Sequence, residues 1–169
     1  MELQALTAIS SVDGRYAGKT APLRAYFSEF ALIKYRVQVE VAYFIALCEL
    51  PLPQLAGFDK SHYPKLNAWV SDFSLEDAEW IKAAERTTNH DVKAVEYFLK
   101  DKFSTLPELV ASKEFIHFAC TSEDINNLAY ALMLKDARTD VLLPLMQRVV
   151  DTIKAQALQY ADIPLLART

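Results

Sequence analysis

Arg86-Thr87-Thr88-Asn89-His90-Asp91-Val92-Lys93-Ala94-Val95-Glu96-Tyr97-Phe98-Leu99-Lys100 changes character half-way along. Its first six residues are polar and carry short hydrogen-bonding side chains. In the rest, Val92, Val95, Phe98 and Leu99 fall at helical spacing, which predicts an amphipathic helix burying one stripe. Asp91 or Asn89 stands where that helix needs a cap for its unpaired amides. A histidine thus lies among hydrogen-bonding groups at a helix start, where outward-pointing amides suit an anion. The same residues also read as an ordinary helix cap.

Outward from this stretch, the pattern stays helical. Between Pro22 and Leu50, Phe30, Ile33, Val37, Val41, Phe44 and Leu47 or Cys48 recur every three or four residues. Glu29, Lys34, Arg36 and Glu40 are expected largely off that stripe. Pro51-Leu52-Pro53 ends the segment. Tyr63 to Phe73 predicts a shorter helix. Ser74-Leu75-Glu76-Asp77 then matches a capping box opening a helix with Trp80 and Ile81 inward. Pro107 introduces a weaker helix ahead of Phe115-Ile116-His117-Phe118-Ala119-Cys120.

Thr121-Ser122-Glu123-Asp124 is a second capping box, and its helix should run to about Arg138. Another long helix is expected from near Asp140, with Pro144 tolerated in its first turn. Leu142, Leu145, Val149, Ile153 and Ala157 share one face of it, as in a helical bundle. The expected fold is all-α. A composition shift near residue 110 suggests a small helical domain over 1–110 and the beginning of a long-helix bundle over 111–169.

Composition excludes several alternatives. Of the 169 residues 52% are hydrophobic and 24% charged, as in a folded globular chain. Three glycines are too few for the turns of a doubly wound sheet or a β-sandwich. A net charge of −4 offers no broad attraction to nucleic acid or anionic lipid. The longest apolar run, Val41 to Cys48, is far too short to span a bilayer. No secretion signal is visible at Met1-Glu2-Leu3-Gln4, so Cys48 and Cys120 are expected as free thiols in a soluble cytoplasmic protein. His62, His90 and His117 lack metal-ligand spacing, and no phosphate loop or nucleophile elbow occurs. No metal or cofactor is expected, and His117 is read as a core residue with one ring nitrogen satisfied.

Near the start, Asp13-Gly14 marks a tight turn, with Arg15 and Tyr16 directly after it. Arg15 is either a solvated surface residue or a planar fork for a phosphate or carboxylate. Asn89-His90-Asp91 and Thr121-Ser122 likewise read either as caps alone or as donors to one anionic ligand. Their combination with an early arginine favours a ligand carrying several carboxylates or a phosphate.

Four runs carry a family resemblance. They are Asp13-Gly14-Arg15-Tyr16, Glu85 to Leu99, Glu114 to Asn127 (containing Phe118-Ala119-Cys120-Thr121-Ser122-Glu123-Asp124), and Ala167-Arg168-Thr169. Together they resemble the adenylosuccinate lyases, nearest the bacterial type, within the fumarase/aspartase superfamily. The likeness covers the chain in order. One departure is Ser11, where the family often has proline; it should affect only the turn.

The resemblance implies β-elimination of fumarate from adenylosuccinate, giving AMP, and from the succinyl-aminoimidazole-carboxamide ribotide of purine synthesis. It implies that Arg15 and Tyr16 contact the nucleotide, with Arg15 suited to the phosphate. Asn89, His90 and Asp91 would line the substrate site, His90 as an acid or electrostatic helper. Thr121 and Ser122 would donate to the succinyl carboxylate. It also implies a homotetramer with sites shared between three subunits. In the family the general acid is a histidine directly after the Arg-Thr matched by Arg168-Thr169, and the base is a serine much further on. These 169 residues alone are therefore expected to be the inactive N-terminal part of such an enzyme. The alternatives are another superfamily lyase, of the argininosuccinate lyase or fumarase type, and a non-catalytic helical interaction domain.

Overall fold

The helix at the centre of the molecule is the one expected after Pro22, but it begins later. In a computed structural model, which describes residues 4–164 and 166, two short helices, α1 (Ala17–Thr20) and α2 (Arg24–Phe27), come first. Ser28 then breaks the path with an extended backbone and caps α3 (Glu29–Glu49), its hydroxyl accepting from the Ala31 amide at 3.1 Å. At the far end Leu50 is extended, the conformation forced on a residue preceding proline. The expectations for Met1-Glu2-Leu3, Leu165 and Ala167-Arg168-Thr169 lie outside the described residues.

After α3 come α4 (Tyr63–Ser71), α5 (Leu75–Thr88), α6 (Asp91–Ser104), α7 (Ser122–Ala137) and α8 (Leu143–Gln159). No strand occurs among the described residues, so this part of the chain is all-α. Both predicted capping boxes form, Ser74 with Asp77 and Thr121 with Asp124. The weak helix after Pro107 is only 3-10 turns over Val110–Phe115. Trp80 is 41% exposed rather than inward, leaving Ile81 to fill the core.

Two apolar clusters meet on α3. Ile33, Val37, Val41, Phe44 and Cys48 pack with residues of α4, α5 and α6, among them Leu66, Ile81, Val95, Phe98 and Phe103. Ala31, Tyr35 and Val39 pack with Val92 of α6 and with Ile125, Ala129 and Met133 of α7. A helix apolar on two faces must be buried nearly all round. Arg36 and Glu40, expected off the stripe, are therefore caught between the clusters, 6% and 0% exposed.

The break expected near Asp140 does not occur. α7 continues into α8 through a π-helical turn, Arg138–Leu142, closed by the Leu143 amide on the Arg138 carbonyl. Pro144 accounts for the change of pitch. It lacks an amide for the Asp140 carbonyl and its ring crowds that carbonyl, and one wider turn relieves both. Tyr26 and Tyr35 hold the passage, donating to Asp140 at 3.0 Å and Asp136 at 2.8 Å.

Beyond that turn the helix lies open among the described residues. Every residue of α8 is exposed, including Leu145, Met146, Val149, Val150 and Ile153. An apolar face of this length is rarely left to water. Sedimentation across a concentration series should show the mass rising as copies associate through α8, and Val149→Lys with Ile153→Lys should reduce it. A monomer at every concentration would count against association through this face.

Candidate functional site

The cap of α6 is neither Asn89 nor Asp91. His90 takes that position, its Nδ1 accepting the Lys93 amide at 3.2 Å. Asn89 instead ends α5 in the left-handed conformation (φ 52°, ψ 31°), which asparagine tolerates better than most residues. Asp91 is the first helical residue, and its Oδ1 accepts the Val92 amide at 2.9 Å. Asn89 therefore turns the chain, His90 starts the next helix and Asp91 completes its first turn.

The proton on His90 follows from this geometry. A ring nitrogen that accepts an amide carries no hydrogen, so a neutral His90 bears its proton on Nε2. Nε2 lies 3.3 Å from the Ser122 hydroxyl on α7. Asp91 Oδ1 is 3.9 Å from Nδ1, a separation that would be an ion pair only with a protonated ring. The amide already occupying Nδ1 argues for the neutral form. Ser122 accepts from Nε2–H, which leaves its own hydroxyl proton free for a third group.

Arg36 joins the two helix starts. Its guanidinium donates to Asp91 Oδ2 at 2.6 Å, and its Nε donates to Asn126 Oδ1 at 2.9 Å. Burial pushes the Asp91 carboxyl up, but the Val92 amide and the Arg36 charge outweigh it and hold the group below the ordinary carboxylate range. On α7, the Asp124 carboxylate takes the Thr121 amide at 2.7 Å. Neither Arg36 nor Asn126 was singled out from sequence. The signal was there for Arg36, since Tyr35, Val37 and Val39 around it leave that part of α3 no solvated face.

The turn leading into α7 is also tied to α3. Glu40 Oε1 lies 2.6 Å from His117 Nδ1, and Tyr43 donates to the Phe118 carbonyl at 2.9 Å. His117 and Ala119 both have positive φ, 60° and 58°, at a cost of about 1–2 kcal/mol each. The Cys120 contact and burial push the Tyr43 phenol up to about 12.

Of the seven candidate residues, Asn89, His90, Asp91, Thr121 and Ser122 gather at the two adjoining helix starts. Arg15 and Tyr16 do not join them within one chain. Both are exposed, and the Arg15 guanidinium packs 5.4 Å from the centre of the Tyr16 ring. Gly14 before them is needed for close packing, because a Cβ there would lie 2.7 Å from the Ala5 carbonyl oxygen.

A family model described as lyase matches residues 14–169. The chain belongs to that lyase family. It is 57% identical to the adenylosuccinate lyase of Escherichia coli strain K12 and 55% identical to that of Vibrio cholerae. The adenylosuccinate lyase of Haemophilus influenzae is 53% identical. Each alignment takes in 100% of this chain and 37% of the relative, so the chain spans just over a third of the length of these proteins. No helix of the described residues is long and apolar enough to cross a membrane.

Because the Asp91 carboxyl is held low in the folded chain, its contribution to stability is present above about pH 4, the unfolded value. It is lost as pH falls through the folded value. Replacing Arg36 with methionine keeps most of the stem but deletes the charge. Urea unfolding should show a loss of about 2 kcal/mol at pH 7. The gap between variant and parent should narrow below about pH 4 as Asp91 protonates. An equal gap at pH 7 and pH 3 would mean that the charge pair contributes nothing.

Proposed function

We propose that this chain supplies part of the active site of an enzyme that cleaves adenylosuccinate to AMP and fumarate. The observation that carries the reading is the 3.3 Å approach of His90 to Ser122, from two helix starts 32 residues apart in sequence. Membership of the lyase family and the names of its relatives support the reaction class. The same site would accept the succinyl-aminoimidazole-carboxamide ribotide, which presents the same succinyl group on a ribotide.

In the reaction a base takes a proton from the carbon beside a succinyl carboxylate. The carbon–nitrogen bond then breaks, and an acid protonates the departing nitrogen. The barrier lies in the negative charge that spreads into the carboxylate, so fixed donors around it do most of the work. Ser122 has a free hydroxyl proton, and with Thr121 it would hold that carboxylate at the start of α7. His90, as a neutral Nε2–H donor, would orient Ser122 and add to the stabilisation rather than take up the proton of the first step. Asn89 and Asp91 would shape the same wall, Asp91 through its bond to Arg36.

Arg15 and Tyr16 fit the nucleotide end, with the guanidinium on the phosphate. In a homotetramer with shared sites they would reach the His90 of another subunit, so their distance from it within one chain is no obstacle. On this reading the boundary near residue 110 separates a helical domain from the first part of the shared bundle, where exposed α8 would pack. The reaction needs no cofactor or metal, and the enzyme would work in the cytoplasm.

The nearest competing reading is another lyase of the superfamily, and a panel of small ligands separates the two. Calorimetric titration should show adenylosuccinate binding to this chain, weakened about tenfold or more by Ser122→Ala, as for a lost charge-assisted hydrogen bond. Argininosuccinate and malate should give no heat. Binding of either of those in preference to adenylosuccinate would move the assignment to the rival enzyme. Indifference to all of them would favour a helical interaction domain.

A further inference from the structure

Glu40 is the most deeply buried carboxyl group in the described molecule, 0% exposed and inside α3. Its Oε2 is the one buried side-chain oxygen or nitrogen among the described residues that makes no hydrogen bond. A buried carboxylate that uses only one oxygen is expensive, and such groups are kept where their single contact matters. That contact is the 2.6 Å approach of Oε1 to His117 Nδ1. His117 Nε2 makes no hydrogen bond either, but it is not among the buried unpaired atoms, so it faces solvent. It lies four residues before Thr121, on the turn that delivers Thr121 and Ser122 to the site.

We propose that Glu40 is a positioning residue for the ligand site, acting through His117. Its carboxylate accepts from Nδ1–H, which fixes the ring with its proton toward α3 and its Nε2 outward. The same contact pins the left-handed His117 backbone, so that the turn beyond it sets Ser122 against His90. Tyr43 secures the next residue through the Phe118 carbonyl. Glu96 of α6 acts on Glu40, and Glu40 in turn acts on Tyr43 of α3 and Cys120 of the turn. Among these Glu96 is already committed to Lys93 and Lys100. His90 and His117 are therefore held in opposite proton arrangements: an amide occupies Nδ1 of one, and a carboxylate occupies Nδ1 of the other. The assignment rests on the reading that the starts of α6 and α7 form the ligand site.

Histidine-selective nitrogen-15 NMR of this chain tests it, with His117→Asn identifying the resonances. The expected result is a protonated Nδ1 in His117, against a protonated Nε2 and bare Nδ1 in His90. Glu40→Leu, which removes the acceptor, should abolish the Nδ1 preference of His117, leave His90 as it was, and weaken adenylosuccinate binding about tenfold. A bare Nδ1 on His117 in the unaltered chain overturns the proposal, as does a folded E40L chain whose His117 spectrum is unchanged. Should E40L fail to fold, the unaltered chain's spectrum decides alone. If that chain shows the protonated Nδ1 but takes up no adenylosuccinate, the coupling of Glu40 to His117 stands and the ligand reading falls.

Discussion

Arg36 is almost wholly withdrawn from water, 6% exposed, and much of the molecule is arranged around that fact. A guanidinium does not lose its proton inside a protein, so burying one without partners would cost several kcal/mol. Its partners come from two other helices: Asp91 at the start of α6 and Asn126 in the first turn of α7. Once the charge is satisfied this way, the relative position of the two helix starts is fixed to within a hydrogen bond. Glu40 and Tyr43 repeat the device further along α3, gripping the turn that leads into α7.

Apolar packing and these polar contacts do different jobs. Phe44 sits edge-on to Phe58 and Phe103 at 5.3 and 4.9 Å, and Phe73 edge-on to Phe98 at 5.9 Å. A buried side chain of this kind contributes about 1.5–3 kcal/mol, several times what an exposed ion pair does. The apolar clusters therefore hold α3 in place, while tolerating small slides along its axis. The Arg36 contacts do not tolerate such slides, because a shift of one residue would swing the guanidinium into an apolar cluster. Stability comes from the packing, and register comes from the polar row.

Much of this was legible in the sequence, and the failures share a cause. Helix spacing and capping motifs placed α4 to α7 well, because they depend on near neighbours. Three of the readings that failed did so where spacing and motif do not reach, one through distant partners and two through unusual local chemistry. Arg36 and Glu40 looked solvated because a single apolar stripe was assigned to α3, whereas the partners of its second face, Val92, Ile125 and Ala129, lie more than 50 residues further on. The α7–α8 joint looked like a break because Pro144 was placed in the first turn of a new helix, whereas a π turn lets one helix run through it. The cap of α6 went to Asn89 or Asp91 because imidazole is an unusual cap. For the site, the grouping of residues 89–91 with 121–122 could be expected from motif and resemblance, but the place of Arg15 could not.

The imidazole cap repays a closer look, because it makes one side chain serve fold and site together. Serine, threonine or aspartate in that position accepts an amide as well or better, for about 1 kcal/mol. Those side chains end at the accepting oxygen, with nothing rigidly aimed the other way. An imidazole that accepts at Nδ1 must carry its neutral-form proton at Nε2, on the far side of a flat ring that cannot flex. The helix thereby sets both the tautomer and the direction of the donor, and Ser122 stands where that donor points. A cap chosen for stability alone would not need this geometry. It is the feature that separates His90 from Ser28 and Ser74, the caps of α3 and α5, whose hydroxyls bond only within their own first turn.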